Sequence, residues 1–565
     1  MPHILRRTLQ NIIIMISLAR SWSDFPCSFT PDDVSQLDED ISTTLANIRE
    51  WRNSFVHINR VPLDVLSLIP THFDSQQDLL NASRVCRYWR RTFLQHAALW
   101  SRLYLSKGEA CVRTFLERAK GSALDIITHC EDPVTTVSLL SPHTQRIRSL
   151  HVMRNFWMDV QGFSDINSRP LPLLHTLEIN VVHGFGAATR ANLSPLLFGG
   201  AANLKQLILS SQGSSPLSLF VFPNLTTFKL RTVPAREIFC ASELLNFLEV
   251  SPTLQAVDMI IGHISLEDIA QRKAVVLPNV QTFSLTVEDC GPTYELIAHI
   301  SCPSVTRTSL IHKKGLDFSD TIQDIQDMFP TAASWNTIVH QYTRSPIETA
   351  TLHTKTPGGH FISCTLTFRS SDTTLVMLGF EITHIDLIYA EDESEMCWEE
   401  MVSEIFSQGF GVVRDHLLLS NIKHLHILNG PPVSKAGQQR YMADEVGELF
   451  KSMGPLEGLT LHGCDLYPYL LHFLTNLLDS EEMQQPITYP PIKELAILHP
   501  LININLEDCM GAIVKLARSQ HALGVPFERV TVRAEGLPTE VAEVLRPWVG
   551  VADCCEEPYA PVENV

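Results

Sequence analysis

Few stretches of this chain have residue types at a spacing that could do chemistry. Gly184-Phe185-Gly186-Ala187-Ala188-Thr189 follows a strand-like run, where a glycine-rich turn can bring backbone N–H groups against a pyrophosphate. That chemistry needs a third glycine for close helix packing and an acidic residue downstream for a ribose. The stretch has neither and reads as a turn. His424 and His426 alternate on a strand-like run, so their rings would share a face. Two imidazoles do not complete a metal site, and in a chain with 23 histidines the pair reads as a polar strand edge. The 13 cysteines are odd in number and lack C-x-x-C pairs, so neither a zinc ribbon nor a disulfide framework is indicated. Adjacent Cys554 and Cys555 suit neither role and read as reduced thiols. There is no G-x-S-x-G elbow, H-E-x-x-H pair or phosphate-loop lysine motif. The expectation is a chain with no catalytic residue, no cofactor and no metal.

Charge narrows the partners. The chain has 62 acidic and 43 basic residues, a net charge of −19 over 565 residues. Phosphate neutralisation would show a basic stripe; none is visible, so nucleic acid is not an expected ligand. The acidic run Glu391-Asp392-Glu393-Ser394-Glu395, with Glu399, Glu400 and Glu404 beyond it, reads as a solvated loop and helix start; a docking site for a basic partner is the alternative. At the N-terminus, Arg6-Arg7, the run Ile12–Ile16 and Ser17-Leu18-Ala19 have the outline of a signal peptide. The apolar run is too short for a bilayer, which takes ~20 residues. Residues 1–32 read as a loosely ordered extension, and no membrane association is expected.

Helical spacing begins just after that extension. Residues 33–57 carry Val34, Leu37, Ile41, Leu45, Ile48, Trp51 and Phe55 at steps of three and four, an amphipathic helix expected to pack beside the segment from Ile58 onward. From Ile58 to Leu105 the pattern gives three short helices. Pro62 suits a first turn, Val65, Leu66 and Ile69 come after it, and Pro70 stops the helix. Asp74 or Ser75 caps a second helix carrying Leu79, Leu80 and Ala82. A third stripe runs through Val85, Trp89, Phe93, Leu99, Trp100 and Leu103. So small a core leaves apolar surface for a partner.

The blocks Val61-Pro62-Leu63-Asp64-Val65-Leu66, Asp78-Leu79-Leu80, Val85-Cys86-Arg87-Tyr88-Trp89-Arg90 and Leu99-Trp100-Ser101-Arg102-Leu103 stand in the order and spacing of the F-box. The segment 58–105 resembles that family, of the fungal type. One departure is Pro70, where the family has an aromatic; Phe73 is expected to fill that volume. The resemblance implies a Skp adaptor as partner, contacted through Pro62, Leu63, Leu66, Ile69, Phe73, Leu79, Leu80, Val85, Cys86 and Trp89.

Beyond the F-box segment, a helix is expected over Val112–Ala119 and a strand at Leu124–Ile127. Apolar residues then recur at i, i+3 and i+5: Ile147/Leu150/Val152, Leu174/Leu177/Ile179, Leu204/Leu207/Leu209, Leu225/Phe228/Leu230, Leu254/Val257/Met259, Val280/Phe283/Leu285 and Val305/Thr308/Leu310. Later copies are Ile382/Ile385/Leu387, Ile422/Leu425/Ile427, Leu456/Leu459/Leu461, Ile492/Leu495/Ile497 and Phe527/Val530/Val532. This is the core of an irregular leucine-rich repeat, one strand plus a returning helix or loop per unit, with helices expected at Ile238–Leu248 and Ala443–Met453. The expected fold is α/β: a three-helix F-box followed by a leucine-rich-repeat-like solenoid over 106–546. An insertion or eroded units lie around 315–405, with a hairpin at His360–Phe368 and Thr374–Phe380, and 547–565 form a frayed acidic tail. Residues flanking the inward positions would line one concave face: Glu178, Lys229, Arg231, Asp258, Ser284, His424, His426, Thr460, His462, Glu494, Arg529 and Arg533. These are the candidate contacts to a protein client, with Lys229 and Arg231 suited to an acidic segment.

By the resemblance, the chain is expected to bind the Skp adaptor and, through it, a cullin–RING ubiquitin ligase in the cytoplasm, the nucleus or both, holding a protein substrate near the ligase. A Skp-binding scaffold that delivers no substrate is the second reading, and an enzyme with a degenerate site in residues 315–420 the third.

Overall fold

The computed structural model describes residues 30–73, 75–129, 138–153, 169–181, 201–211, 222–232, 239–262, 264–265, 272–288, 293–316, 347–355, 361–370, 375–384, 422–428, 456–462, 492–498, 506–534 and 540–556, with isolated positions besides. They fall into two compact units, Met1–Leu174 and His175–Val565. The architecture is mixed α/β, with helices at the N-terminal end and mainly parallel strands whose sheet pairing, among the described residues, does not close on itself.

In the first unit, helix α1 (Pro31–Ser54) starts at a reciprocal cap. The Asp33 N–H donates to Thr30 Oγ1 (3.3 Å) and the Thr30 N–H donates to Asp33 Oδ2 (2.9 Å), which satisfies two backbone donors left over at the helix start. The predicted apolar stripe is not what α1 buries. Val34, Leu45, Trp51 and Phe55 are exposed, and the buried residue is Thr44. The helix instead touches its neighbours through its last turns, where Asn59 Nδ2 donates to the Asn53 carbonyl at 2.7 Å.

Helix α2 (Leu63–Leu68) follows Pro62 and passes into a 3₁₀ turn, Ile69–His72. Pro70 thus changes the pitch rather than ending the helical path, because a proline near a new first turn gives up no needed N–H. Ser75 caps α3 (Gln76–Ala82), accepting from the Asp78 N–H at 3.2 Å. Helix α4 (Arg87–Gln95) carries Trp89 and Phe93, whereas Val85 precedes it. The core gathers on Trp100, fully buried with Leu66, Phe93, Leu103 and Leu105. Its Nε1 donates to the Phe93 carbonyl at 2.8 Å, its ring meets Phe115 edge-on at 4.9 Å, and the Arg118 guanidinium lies 4.4 Å above it.

Leu103 leaves the helical stripe. It sits in strand β1 (Arg102–Tyr104), where buried Leu103 and Leu105 alternate with the more accessible Arg102 and Tyr104, a period of two that the sequence spacing also allowed. Gln76 Nε2 ties α3 to this strand through the Arg102 carbonyl at 2.8 Å. Helix α5 (Glu109–Ala119) carries the chain to β2 (Leu124–His129), parallel to β1, and β3 (Ile147–Met153) pairs parallel to β2.

Among the described residues of the second unit, apart from two pairs of two-residue strands, fourteen strands belong to the large sheet: β4 (Thr176–Val181), β5 (Gln206–Ser211), β6 (Thr227–Thr232), β7 (Ala256–Ile261), β8 (Thr282–Glu288), β9 (Arg307–Leu316), β10 (Ile347–Lys355), β11 (Phe361–Ser370), β12 (Leu375–His384), β13 (His424–Leu428), β14 (Gly458–His462), β15 (Glu494–Leu498), β16 (Phe527–Ala534) and β17 (Val549–Glu556). From β4 to β9 each strand pairs parallel with the next, and so do β13 to β17. Between the two runs the order reverses. β9 pairs with β12, antiparallel β11 comes after it, and β10 stands against β13. The predicted hairpin is therefore β11 and β12, with β10 as a third strand.

Every residue of the eleven apolar triplets outside this reversal is buried. The strands are also in register: Leu177, Leu207, Phe228, Val257, Phe283 and Thr308 form one row, and Leu425, Leu459, Leu495 and Val530 another. The Ile382 triplet does not belong to this series. In β12 the positions level with Thr308 and Leu310 are Val376 and Leu378, while residues 385 and 387 lie outside the described segments.

The turns before the strands have a ladder of their own. Asn224 Nδ2 donates to the Ala202 carbonyl (2.9 Å), Thr253 Oγ1 to the Pro223 carbonyl (2.8 Å) and Asn279 Nδ2 to the Pro252 carbonyl (3.0 Å). Each turn thus satisfies a carbonyl of the turn before it. Helix α6 (Ala241–Glu249) lies where a helix was expected; Ala443–Met453 lies outside the described residues. The tail expectation is corrected: Val549–Glu556 is strand β17, paired with β16 from Phe527↔Val549 to Ala534↔Glu556. Its Val549, Ala552 and Cys554 are a weak copy of the i, i+3, i+5 pattern.

Candidate functional site

The residues expected on a partner surface of the first unit divide by burial. Leu66 (0% exposed) and Leu79 (6%) are interior, because helices this short need their largest apolar residues for the unit's own core. Ile69, Phe73, Leu80, Cys86 and Trp89 are half-buried, and Pro62 is exposed. Leu63 lies in α2, with its side chain outside the described ones. Trp89 is positioned rather than free: its Nε1 donates to Asn59 Oδ1 at 2.7 Å. Tyr88 Oη donates to the Val61 carbonyl at 3.3 Å.

Of the expected contacts Val85 does face solvent, and three further residues that were not among them do so as well. Val65 (46%), Leu68 (59%), Val85 (61%) and Ile58 (41%) are large apolar side chains left exposed. Val65 and Leu68 stand at i and i+3 on α2 and so share a face, with Leu66 turned to the interior between them. The signal was in the sequence: two apolar sets on one short helix cannot both be inward. Two exposed apolar side chains on one face of a short helix are available to another molecule.

In the second unit the outward rows assemble as the alternation predicts. Glu178, Lys229, Asp258 and Ser284 stand in one register row, with Ile208 between the first two and Ser309 beyond the last. All are half-buried, and Arg231, two residues along β6, is exposed. The row continues by backbone register through Met377, Thr367 and Thr351 to His426 and Thr460. His424, Gly458, Glu494 and Arg529 form the neighbouring row. His462 departs from the expectation. It is 8% exposed, because it lies in register between Leu428 and Leu498, and its row is apolar at that point. Arg533 is in the same row and half-buried.

The histidine pair sits in a basic and acidic mixture. Gly458 gives His424 its place: a Cβ there would stand 2.8 Å from His424 Nδ1. His424 Nε2 lies 3.8 Å from Glu457 Oε2, and Lys423 Nζ pairs with Glu348 at 3.0 Å. Burial holds the His426 imidazole below its ordinary pKa, and the neighbouring His424 and Arg369 side chains add to the effect. Among the described residues no three His, Cys, Asp or Glu side chains are placed to hold a metal ion. No described helix is long and apolar enough to cross a membrane. The Gly184–Thr189 turn and the acidic run at 391–395 lie outside the described residues.

A family model described as F-box-like matches residues 58–106. That span contains helices α2 to α4, strand β1 and the exposed side chains of Ile58, Val65, Leu68 and Val85. This segment is an F-box-like domain. No curated protein matches the chain.

Proposed function

We propose that the chain is the substrate-recognition subunit of an SCF-type cullin–RING ubiquitin ligase, with no catalytic residue of its own. The observation that carries this reading is the F-box-like match at residues 58–106, since F-box domains bind Skp adaptors within such ligases. Leu68 and Val65, apolar and exposed on α2, supply a surface that an adaptor would cover. The second unit is read as a degenerate leucine-rich-repeat-like solenoid that holds the client. What supports this is the shared register of its parallel strands and the polar rows that result from it. Tethering a client beside the charged conjugating enzyme would raise the effective concentration of its lysines, so the contribution to rate is proximity. The site of action would be the cytoplasm, the nucleus or both.

The test is reconstitution of the full chain with the Skp adaptor, cullin and RING subunits, and then capture of ubiquitinated proteins from proteasome-blocked cells. Recovery of adaptor, cullin and a reproducible set of modified clients is the expected result. Adaptor without cullin or clients would move the reading to a Skp-binding scaffold.

A further inference from the structure

A groove of about 560 Å³ runs between the last turns of α1 and the segment that leads into α4. Arg49 stands on the α1 side, and Arg84, Arg87 and Arg90 stand on the other; Glu50 is the one carboxylate in the lining. All four arginines are exposed, and none is ion-paired with a carboxylate among the described residues. In a chain of net charge −19 this is a local inversion of sign. Four guanidiniums around one groove repel one another, and an anion placed among them relieves that repulsion. Guanidinium also offers planar, paired donors that match a carboxylate.

Shape decides between anions. The α1 wall runs from Ala46 to Ser54, a helical length of roughly 12 Å, which an extended chain spans with about four residues. The lining also includes apolar Val85, 61% exposed, and the polar side chains of Asn53 and Ser83. A long groove mixing guanidinium, amide and apolar surface suits a peptide better than a compact ion. We propose that this groove binds a short, extended peptide segment of a partner protein, rich in aspartate and glutamate, whose carboxylates are held by Arg49, Arg84, Arg87 and Arg90. One wall lies on α1, outside the F-box-like segment, so the site is a property of this chain's own arrangement. It goes beyond the adaptor reading: the groove shares only Val85 and Cys86 with the expected adaptor contacts, and none of the four arginines is among them.

The experiment uses the full chain and a fluorescent peptide of alternating glutamate and serine, with a control in which every glutamate is glutamine. Fluorescence anisotropy should show binding of the glutamate peptide and none of the control. Raising salt from about 50 to about 200 mM should weaken binding markedly, since exposed charges are screened. Arg84→Glu with Arg87→Glu should weaken it at least about tenfold with an unchanged melting temperature; the reversed charges repel the peptide. Arg49→Gln on the opposite wall should weaken it several-fold, and it carries the test alone if the double variant fails to fold. Equal binding of the glutamine peptide, or unchanged affinity in the variants, would overturn the proposal. Binding of inorganic polyphosphate without the glutamate peptide would overturn it too, and would assign the groove to a compact phosphate ligand.

Discussion

Single residues decide how well the rows of the sheet are satisfied. Thr308 is fully buried in the row of Leu177, Leu207, Phe228, Val257 and Phe283, and its hydroxyl has no hydrogen-bond partner among the described residues. An unpaired buried hydroxyl costs about 1–3 kcal/mol. Thr308→Val keeps the branched shape and removes the hydroxyl, so it should stabilise the chain by about 1 kcal/mol in urea unfolding; a loss of stability would mean that the hydroxyl is used. His426 sets a pH dependence. Its folded pKa is depressed from about 6.5, so the unfolded chain takes up a proton first as pH falls. The stability present above pH about 6.5 is then lost as pH drops through that value toward the lower folded one. His426→Gln should flatten the fall in melting temperature between neutral pH and about pH 5; identical slopes would contradict this. At this scale the sequence was least legible. Leu66 and Val65 are both apolar and adjacent, and only the packed core shows that Leu66 is interior while Val65 faces solvent.

Elements were more legible, because register multiplies a weak signal. One i, i+3, i+5 triplet means little, but a strand is bound by its neighbours on both sides, so the pattern had to recur. It failed where small or polarisable residues replaced leucine. Ile347/Ala350/Leu352 in β10 and Val549/Ala552/Cys554 in β17 keep the spacing and pair in register with Leu425/Ile427 and Val530/Val532. The turn ladder of Asn224, Thr253 and Asn279 was missed for another reason: a hydrogen bond between successive turns has no periodic apolar signature. The strand reading is tested at β6. Leu230 is fully buried, so Leu230→Ser should cost at least about 3 kcal/mol. Lys229→Glu with Arg231→Glu should leave the melting temperature nearly unchanged and alter the captured clients. The reverse pattern would mean that inner and outer faces have been exchanged. β17 has its own test. A Cβ at Gly550 would lie 2.7 Å from the Glu528 carbonyl oxygen, so Gly550→Ala should destabilise the β16–β17 pair by about 1–3 kcal/mol. Unchanged hydrogen-exchange protection in β17 would return that segment to a loose tail.

At the scale of the whole molecule, the proposed function rests on the F-box-like segment. The net charge of −19 sets a long-range field that is unfavourable to polyanions away from local basic clusters, and the exposed apolar face of α2 is the surface proposed for the adaptor. The most direct measurement is calorimetric titration of the full chain with the purified Skp adaptor, alongside the double variant Val65→Asp and Leu68→Asp. Both side chains are exposed, so the variant should keep its melting temperature. The account predicts one-to-one binding by the unaltered chain and a loss of at least about tenfold in the variant, because two carboxylates would be buried against an apolar partner. A folded chain that gives no binding, or a variant that binds as tightly as the unaltered chain, would contradict it.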